Sequence, residues 1–90
     1  MKAFRLAARY KRDYKRVAKR RYDLDLLDAV LDKLAAGQAL PSERRDHLLK
    51  GDWQGYRECH IEPDWLLIYR GSDDEVELAR TGMHADLFGS

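Results

Sequence analysis

Residues 56–81 read YRECHIEPDWLLIYRGSDDEVELART, and this stretch decides the fold. Within residues 56–62, alternate side chains fall on opposite sides of an extended backbone, which predicts a strand with one buried face. Cys59 and Ile61 share the buried side, where Cys59 serves most simply as a small hydrophobic residue. His60 lies on the other side, so we expect its imidazole to leave the core face of the sheet.

Two further strands follow in the same stretch. Pro63 ends the first strand, and residues 65–70 are apolar at almost every position, as expected for a central strand that is covered on both faces. Residues 71–74 read Gly-Ser-Asp-Asp, a turn sequence, and lead into a third strand at residues 76–81. These segments predict a three-stranded antiparallel meander.

Two amphipathic helices are predicted before the meander. In residues 7–21 the apolar side chains recur at i, i+4 and i+7, and they are Tyr10, Tyr14 and Val17. Asp23 is a suitable N-cap for a second helix, and Gly37 stands where a left-handed residue ends one. The apolar stripe of this second helix consists of Leu24, Leu27, Val30, Leu31 and Leu34.

Shorter segments complete the predicted architecture. Residues 2–6 can form a short strand, residues 37–45 with Pro41 read as a loop, and residues 84–88 read as a short tail. Helices followed by a meander predict an α+β fold, in which an N-terminal short strand and a helical hairpin pack on a small antiparallel β-sheet. The chain is short enough that we expect a single domain over residues 1–90.

Positive charge is concentrated at the N-terminal end. Residues 1–22 contain ten Lys or Arg and one Asp, a net charge of +9, whereas residues 23–90 contain seven against fifteen acidic residues, a net charge of −8. A basic helix face can follow a phosphate backbone, and Lys11, Lys15 and Lys19 are the candidates for RNA contact. A solvated helix face without a partner would explain the same run of charge.

The composition also limits the cellular setting. No apolar stretch approaches the length of a membrane span, and the N-terminal sequence MKAFR lacks the apolar region of a signal peptide. A single cysteine cannot build an internal disulfide framework, which agrees with a reducing compartment. We therefore expect a cytoplasmic protein that makes no contact with membranes.

Four segments carry a resemblance to a known family: Asp46-His47, LKGDWQGYR at 49–57, HIEPDWLLIY at 60–69 and RTGMHADLFG at 80–89. In order, spacing and residue type they resemble the YafQ branch of the RelE superfamily of bacterial toxins. Those toxins belong to type II toxin–antitoxin pairs and cut messenger RNA on the ribosome. The resemblance implies the same fold and the same activity here. We expect neither a metal nor another cofactor, since the sequence contains no short-range ligand pair.

The resemblance also implies which residues form the active site. The positions associated with it in the family match four residues of this sequence: His47, His60, Asp64 and His84. Two aromatic positions nearby match Trp65 and Phe88, which are candidates for contact with RNA. Trp65 also fits a core anchor, whereas Phe88 in a short tail is harder to explain as core.

Metal-free RNA cleavage needs a base for the 2′-hydroxyl proton, a cation for the phosphate and an acid for the departing 5′-oxygen. Histidine suits either proton transfer because its ordinary pKa, about 6.5, lies near neutrality. We assign His84 as the general acid, and His47 or His60, oriented by Asp64, as the general base. Arg80 is assigned as the phosphate stabiliser because a guanidinium offers paired donors to phosphate oxygens.

The strand pattern leaves the direction of Arg80 open. Arg80 shares strand parity with Val76 and Leu78, which would turn its side chain toward the core. Either the strand contains a bulge near Ala79, or Arg80 belongs to the opposite face with different neighbours.

Other chemistries have weaker support in the spacing. The three histidines lie 13 and 24 residues apart, without the short chelating pair of the usual zinc sites, so a three-histidine metal site would depend entirely on folding. A nucleophilic cysteine has even less support. Cys59 and His60 are adjacent on a strand and point to opposite faces, which separates the thiol from its base.

The implied partners are a cognate antitoxin, the ribosome with its mRNA, and operator DNA that is contacted only indirectly through the antitoxin. A different class of function is a catalytically degenerate module that binds the ribosome or the antitoxin without cutting. The basic helix would serve both functions. Binding alone does not need His84 beside Phe88, whereas an acid and a stacking platform are useful where RNA is strained for cleavage.

Overall fold

The computed structural model describes residues 1–89, which contain five strands, three α-helices and two short 3-10 turns. The strands are β1 (Ala3–Leu6), β2 (His47–Leu48), β3 (Arg57–Glu62), β4 (Trp65–Gly71) and β5 (Glu75–Met83). The helices are α1 (Ala8–Lys19), α2 (Leu24–Ala35) and α3 (His84–Phe88). All strands belong to one sheet of order β1-β5-β4-β3-β2, in which β1 pairs in parallel and the other neighbours are antiparallel.

Both long helices form where the sequence pattern predicts them. The Asp23 carboxylate caps α2 by accepting a hydrogen bond from the Asp25 amide at 3.1 Å, and Gly37 takes a left-handed φ of 71° after the helix. Apolar side chains of α1 and α2 join one core on the same face of the sheet, so the predicted α+β arrangement is confirmed. No helix within residues 1–89 has the length and apolar character needed to cross a membrane.

The buried side of α1 differs from the predicted stripe in one residue. Tyr10 and Val17 are buried as predicted, but Tyr14 is 38% exposed. Asp13 is buried in its place, with only 2% of its surface exposed. A buried carboxylate on a basic helix requires a partner, since an unpaired charge in the interior is costly.

The central strand β4 is covered on both faces, as its apolar sequence predicts. On one face, Trp65 and Leu67 join the core formed with α1 and α2. On the other face, Leu66 and Ile68 pack against buried Leu87 of α3 and against three half-buried residues of the loop before β3, Leu49, Trp53 and Tyr56.

The sheet contains the predicted three-stranded meander and one further strand at each of its edges. β1 adds in parallel to β5, so the sheet is mixed and not purely antiparallel, and the two-residue strand β2 adds to β3. Residues 84–88, predicted as a short tail, form helix α3. The β1–β5 pairing brings together Arg5 and Glu77, 72 residues apart, and local periodicity carries no signal for such a contact.

A β-bulge in β5 decides the direction of Arg80. The register between β4 and β5 shifts between Ile68 and Tyr69, and the pairing skips Ala79. Of the two alternatives left by the strand pattern, the bulge is the one that the structure contains. The guanidinium of Arg80 reaches the buried carboxylate of Asp13 on α1.

Candidate active site

The two-residue strand β2 carries His47 and is anchored by the residue before it. The carboxylate of Asp46 accepts hydrogen bonds from the Tyr69 hydroxyl at 2.6 Å and from Arg57 Nε at 3.2 Å. Burial and the hydrogen bond to Asp46 raise the pKa of Tyr69, so its hydroxyl remains a donor. Because β3 and β4 both hold Asp46, the backbone from which the His47 ring projects is fixed.

His47 and His60 lie side by side on neighbouring strands, with ring centroids 6.5 Å apart. Nδ1 of His47 lies 2.7 Å from the carbonyl oxygen of Arg45, and Nδ1 of His60 lies 3.0 Å from that of Pro63. A carbonyl oxygen can only accept a hydrogen bond, so these short contacts favour the tautomer that carries its proton on Nδ1. In that tautomer Nε2 is unprotonated, which is the form that a general base requires.

Glu58 lies beside both imidazoles. Its Oε1 is 3.5 Å from Nε2 of His47 and 3.8 Å from Nε2 of His60, and the residue is only 7% exposed. An ion pair forms with either ring once that ring has taken up a proton. Glu58 had no predicted role, although its shared strand parity with His60 was the signal that could have identified it.

A cleft of about 370 Å³ opens beside His60. One wall is the loop before β2, which supplies the guanidinium groups of Arg44 and Arg45. Arg44 donates a hydrogen bond to the Ile61 carbonyl and thereby ties this loop to β3. Glu43 and Glu62 line the same cleft, so its charged walls carry two carboxylates as well as two guanidinium groups beside the imidazole.

Helix α3 places His84 and Phe88 one turn apart, with ring centroids separated by 4.9 Å and both residues exposed. The register shows where this pair lies relative to His60. His60 pairs with Leu66, and Leu66 pairs with Gly82, two residues before His84. An exposed imidazole and an exposed aromatic ring therefore stand at the same end of the sheet as His60.

Arg80 is held by a carboxylate that had no predicted role. Its Nε and Nη2 donate to the two carboxylate oxygens of Asp13, at 2.7 and 3.0 Å. The hydrogen bond to Asp13 raises the pKa of Arg80, so this side chain stays a cation. In the sheet Arg80 pairs with Ile68, and Ile68 pairs with Glu58, so the Cα atoms of Arg80 and Glu58 are about 10 Å apart.

The surroundings of Asp64 and Trp65 differ from those predicted for site residues. Asp64 is exposed between β3 and β4, and within residues 1–89 the carboxylate in contact with the histidine rings is that of Glu58. Trp65 is 1% exposed, donates its indole N–H to the Thr81 hydroxyl at 2.9 Å and packs edge-on against Tyr22. A base could stack on Trp65 only if the core opened, so Trp65 is a core anchor and not an RNA contact in this structure.

The basic helix presents its lysines to solvent. Lys11, Lys15 and Lys19 are all exposed on α1, while the apolar residues and Asp13 face inward. The helix can therefore offer positive charge to a partner without any change in its packing.

The described residues do not support either alternative chemistry, a nucleophilic cysteine or a three-histidine metal site. Cys59 is fully buried, as its strand parity predicts, and burial raises the pKa of its thiol to about 12, which keeps it neutral. Within residues 1–89, no group of three or more His, Cys, Asp and Glu side chains is arranged to hold a metal ion.

Comparisons with known proteins place the chain among bacterial toxins. A family model described as the bacterial toxin of type II toxin–antitoxin system, YafQ, matches residues 2–89. The mRNA interferase toxin YafQ of Escherichia coli (strain K12) is 42% identical over 84 residues, which are 92% of this chain and 91% of that protein.

Two solved structures share the fold. The E. coli DinJ–YafQ toxin–antitoxin complex contains a chain with a TM-score of 0.90 and 39% identity, and the match covers 98% of both chains. A metal-bound toxin from Helicobacter pylori has a TM-score of 0.90 and 37% identity, over 98% of this chain and all of that one. Sequence and structure agree over nearly the whole chain, and the protein therefore belongs to the YafQ family of toxins of bacterial type II toxin–antitoxin systems.

Proposed function

We propose that this protein is a ribosome-dependent mRNA endonuclease, the toxic member of a type II toxin–antitoxin pair, which inhibits translation and growth. Its E. coli relative is named an mRNA interferase toxin and has been solved in complex with DinJ, which supports both the activity and a protein partner. A cognate antitoxin would neutralise the chain, and operator DNA would be contacted only through that antitoxin. The place of action would be the cytoplasm, where translated mRNA is found.

The observation that carries this proposal is the pair of imidazoles whose Nε2 atoms both lie near the carboxylate of Glu58. Either His47 or His60 accepts the proton of a 2′-hydroxyl at Nε2, and the oxygen attacks the adjacent phosphorus. The protonated ring is then a cation beside the carboxylate of Glu58, which stabilises that cation and holds the ring in place. In this mechanism Glu58 is a positioning residue and takes the orienting role predicted for Asp64 from the family resemblance.

Helix α3 and strand β5 supply the remaining groups. His84 donates a proton to the 5′-oxygen as the P–O bond breaks, which leaves a cyclic phosphate on one fragment and a 5′-hydroxyl on the other. Arg80 stabilises the negative charge on the pentavalent phosphorus with donors that Asp13 leaves free, since a guanidinium has five N–H groups. Phe88 provides a platform on which a base can stack.

We propose that this chemistry needs no metal, because side chains supply the base, the acid and the cation. The metal-bound toxin from H. pylori shows why metal dependence requires a direct test.

The basic face of α1 is assigned to the ribosome. Lys11, Lys15 and Lys19 lie on a helix that is separate from the histidine pair, so they can contact ribosomal RNA while the mRNA occupies the site. Each phosphate contact releases condensed counterions, which makes such binding sensitive to salt. Placement on the ribosome and chemistry are therefore assigned to different surfaces.

Cleavage of a defined mRNA tests this function. The purified protein should cut an mRNA positioned on programmed ribosomes and leave the same RNA intact without ribosomes, with the new ends mapped by primer extension. Replacing His47 and His60 together with glutamine should abolish cleavage, while co-sedimentation with ribosomes should persist. Ribosome binding by the wild type without any cut would support the degenerate binding module, and equal cleavage of free RNA would refute ribosome dependence.

A further inference from the structure

Helix α3, which carries His84, has a small apolar anchor. Leu87 is the buried residue among its five residues, and it packs against Leu66, Ile68 and Ala79. Helices shorter than about 12 residues are marginal in water, so α3 keeps its place through tertiary contacts. The position of the His84 ring therefore depends on what else holds this helix to the rest of the chain.

An ion pair between α3 and the end of α1 supplies a second contact. Nη1 of Arg20 donates a hydrogen bond to Oδ2 of Asp86 at 3.0 Å. One turn earlier in the chain, Nη1 of Arg16 lies 4.0 Å from Oδ1 of the same carboxylate. The side chain of Asp86 is only 23% exposed, so solvent screens these charges less than it screens a fully exposed pair.

The same contact continues to Arg80. Nη1 of Arg16 also lies 3.8 Å from Oδ1 of Asp13, the carboxylate that accepts hydrogen bonds from Arg80. Several linked charges hold a geometry better than one isolated surface pair does. The two groups assigned to the departing 5′-oxygen and to the phosphate, His84 and Arg80, are thus attached to one charged network on α1.

The spacing within α3 shows what this attachment controls. Asp86 follows His84 by two residues, which is a rotation of about 200° around a helix, so the two side chains leave on nearly opposite sides. Phe88 shares the side of His84, with their ring centroids 4.9 Å apart. When Asp86 is held against α1, the rotation of α3 is fixed and both rings are turned away from α1.

We propose that Asp86 is a positioning residue for RNA cleavage, which acts through its ion pairs with Arg20 and Arg16 to hold His84 at the departing 5′-oxygen. The inference rests on the proposed function, because it takes His84 as the general acid. Asp86 itself contacts neither the RNA nor the reacting atoms. Its loss should therefore slow the chemical step and leave ribosome binding unchanged.

Single-turnover cleavage over a range of ribosome concentrations tests this role. Asp86→Asn should slow cleavage at saturating ribosomes about tenfold, as part of the roughly 100-fold contribution of one general acid. The ribosome concentration that gives half of the maximal rate should stay within about twofold, since no binding contact is removed. Asp86→Glu retains a carboxylate and should recover the rate to within about threefold of the wild type.

Asp32→Asn is the matched control, because it removes the same charge from an exposed position on α2. It should leave the rate within about twofold of the wild type. Equal rates for Asp86→Asn and this control would overturn the inference. Thermal denaturation checks the fold, and loss of a surface pair should lower the Tm of Asp86→Asn by no more than about 8 °C.

A double-mutant cycle tests the partner. Arg20→Gln should slow cleavage to a similar extent, and the double variant with Asp86→Asn should be within about twofold of the slower single variant, because both changes break the same pair. Independent losses that multiply in the double variant would show that Asp86 does not act through Arg20. This cycle also keeps the inference testable if one single variant is poorly folded.

An RNA with sulfur in place of the 5′-oxygen at the cleavage site tests the link to His84. A thiol is far more acidic than an alcohol, with a pKa of about 8.5, so the sulfur departs without a general acid. The rate losses of His84→Gln and Asp86→Asn should both shrink to within about threefold on this RNA. If His84→Gln were rescued and Asp86→Asn were not, the inference would be overturned and the proposed function would stand. If the wild type cut neither RNA on ribosomes, the proposed function itself would fail.

Discussion

Asp13 is the one acidic residue in the basic stretch of residues 1–22, and changing it to asparagine should strongly destabilise the fold. Its carboxylate accepts hydrogen bonds from Arg80 Nε at 2.7 Å and Nη2 at 3.0 Å, and from the Thr81 amide at 3.2 Å. The side chain of Asp13 is 3% exposed and that of Arg80 is 15% exposed. Asp13→Asn keeps the volume but leaves the Arg80 cation in a largely buried position without its counter-charge.

Breaking a buried ion pair by removing one partner costs about 3–5 kcal/mol, because the remaining charge stays desolvated. Asparagine retains one carbonyl acceptor, so we expect the lower end of this range, about 3 kcal/mol. For a domain of this size that loss should lower Tm by about 12–24 °C. The total free energy of unfolding expected for 90 residues is about 5–13 kcal/mol, so the variant should still fold at room temperature.

Urea and thermal denaturation followed by circular dichroism measure this loss. Asp32→Asn is the matched control, because Asp32 is exposed on α2, and it should change the free energy of unfolding by less than about 0.5 kcal/mol. Arg80→Lys should also lose most of the stability that the ion pair provides, because an ammonium cannot make the same paired hydrogen bonds to Asp13. If Asp13→Asn cost no more than the control, the assignment of Asp13 as the group that holds Arg80 would be refuted.

His84→Gln should slow single-turnover cleavage on ribosomes at least about 100-fold without lowering Tm, since the residue is exposed; an unchanged rate would remove His84 from the mechanism. Glu58→Gln should slow cleavage about tenfold or more, and Glu58→Asp should recover part of the rate because a carboxylate remains; equal rates for both variants would count against an orienting charge. Cleavage should survive a zinc-selective chelator that leaves ribosomal magnesium in place, whereas inhibition reversed by zinc would show a metal requirement. Burial raises the pKa of Cys59 from 9.0 to about 12, so the folded state binds this proton more tightly than the unfolded state. The contribution of the protonated thiol to the free energy of unfolding is complete below about pH 9 and is lost as pH rises toward 12. In urea denaturation between pH 8 and 11, the free energy of unfolding should therefore fall less steeply for Cys59→Ala than for the wild type. Equal slopes for the two proteins would contradict a raised pKa at Cys59.

The sequence by itself determined what local patterns can encode. The apolar run of β4 predicted a strand covered on both faces, and the alternation around Cys59 placed that thiol in the core and His60 outside it, as the structure confirms. Asp23 and Gly37 marked the two ends of α2. The motifs near the three histidines also identified the family, which the match of its family model to residues 2–89 confirms.

Only the tertiary structure decided how distant segments combine. β1 joins β5 across most of the chain, and Asp13 meets Arg80 over a separation of 67 residues. Nothing in the local pattern of α1 distinguishes a buried Asp13 from a solvated one, since the helix is polar on several faces. Glu58 became part of the candidate site because a two-residue strand brought His47 beside it. Such contacts depend on the path of the whole chain, and periodicity along the sequence reports only which face a residue shares with its near neighbours.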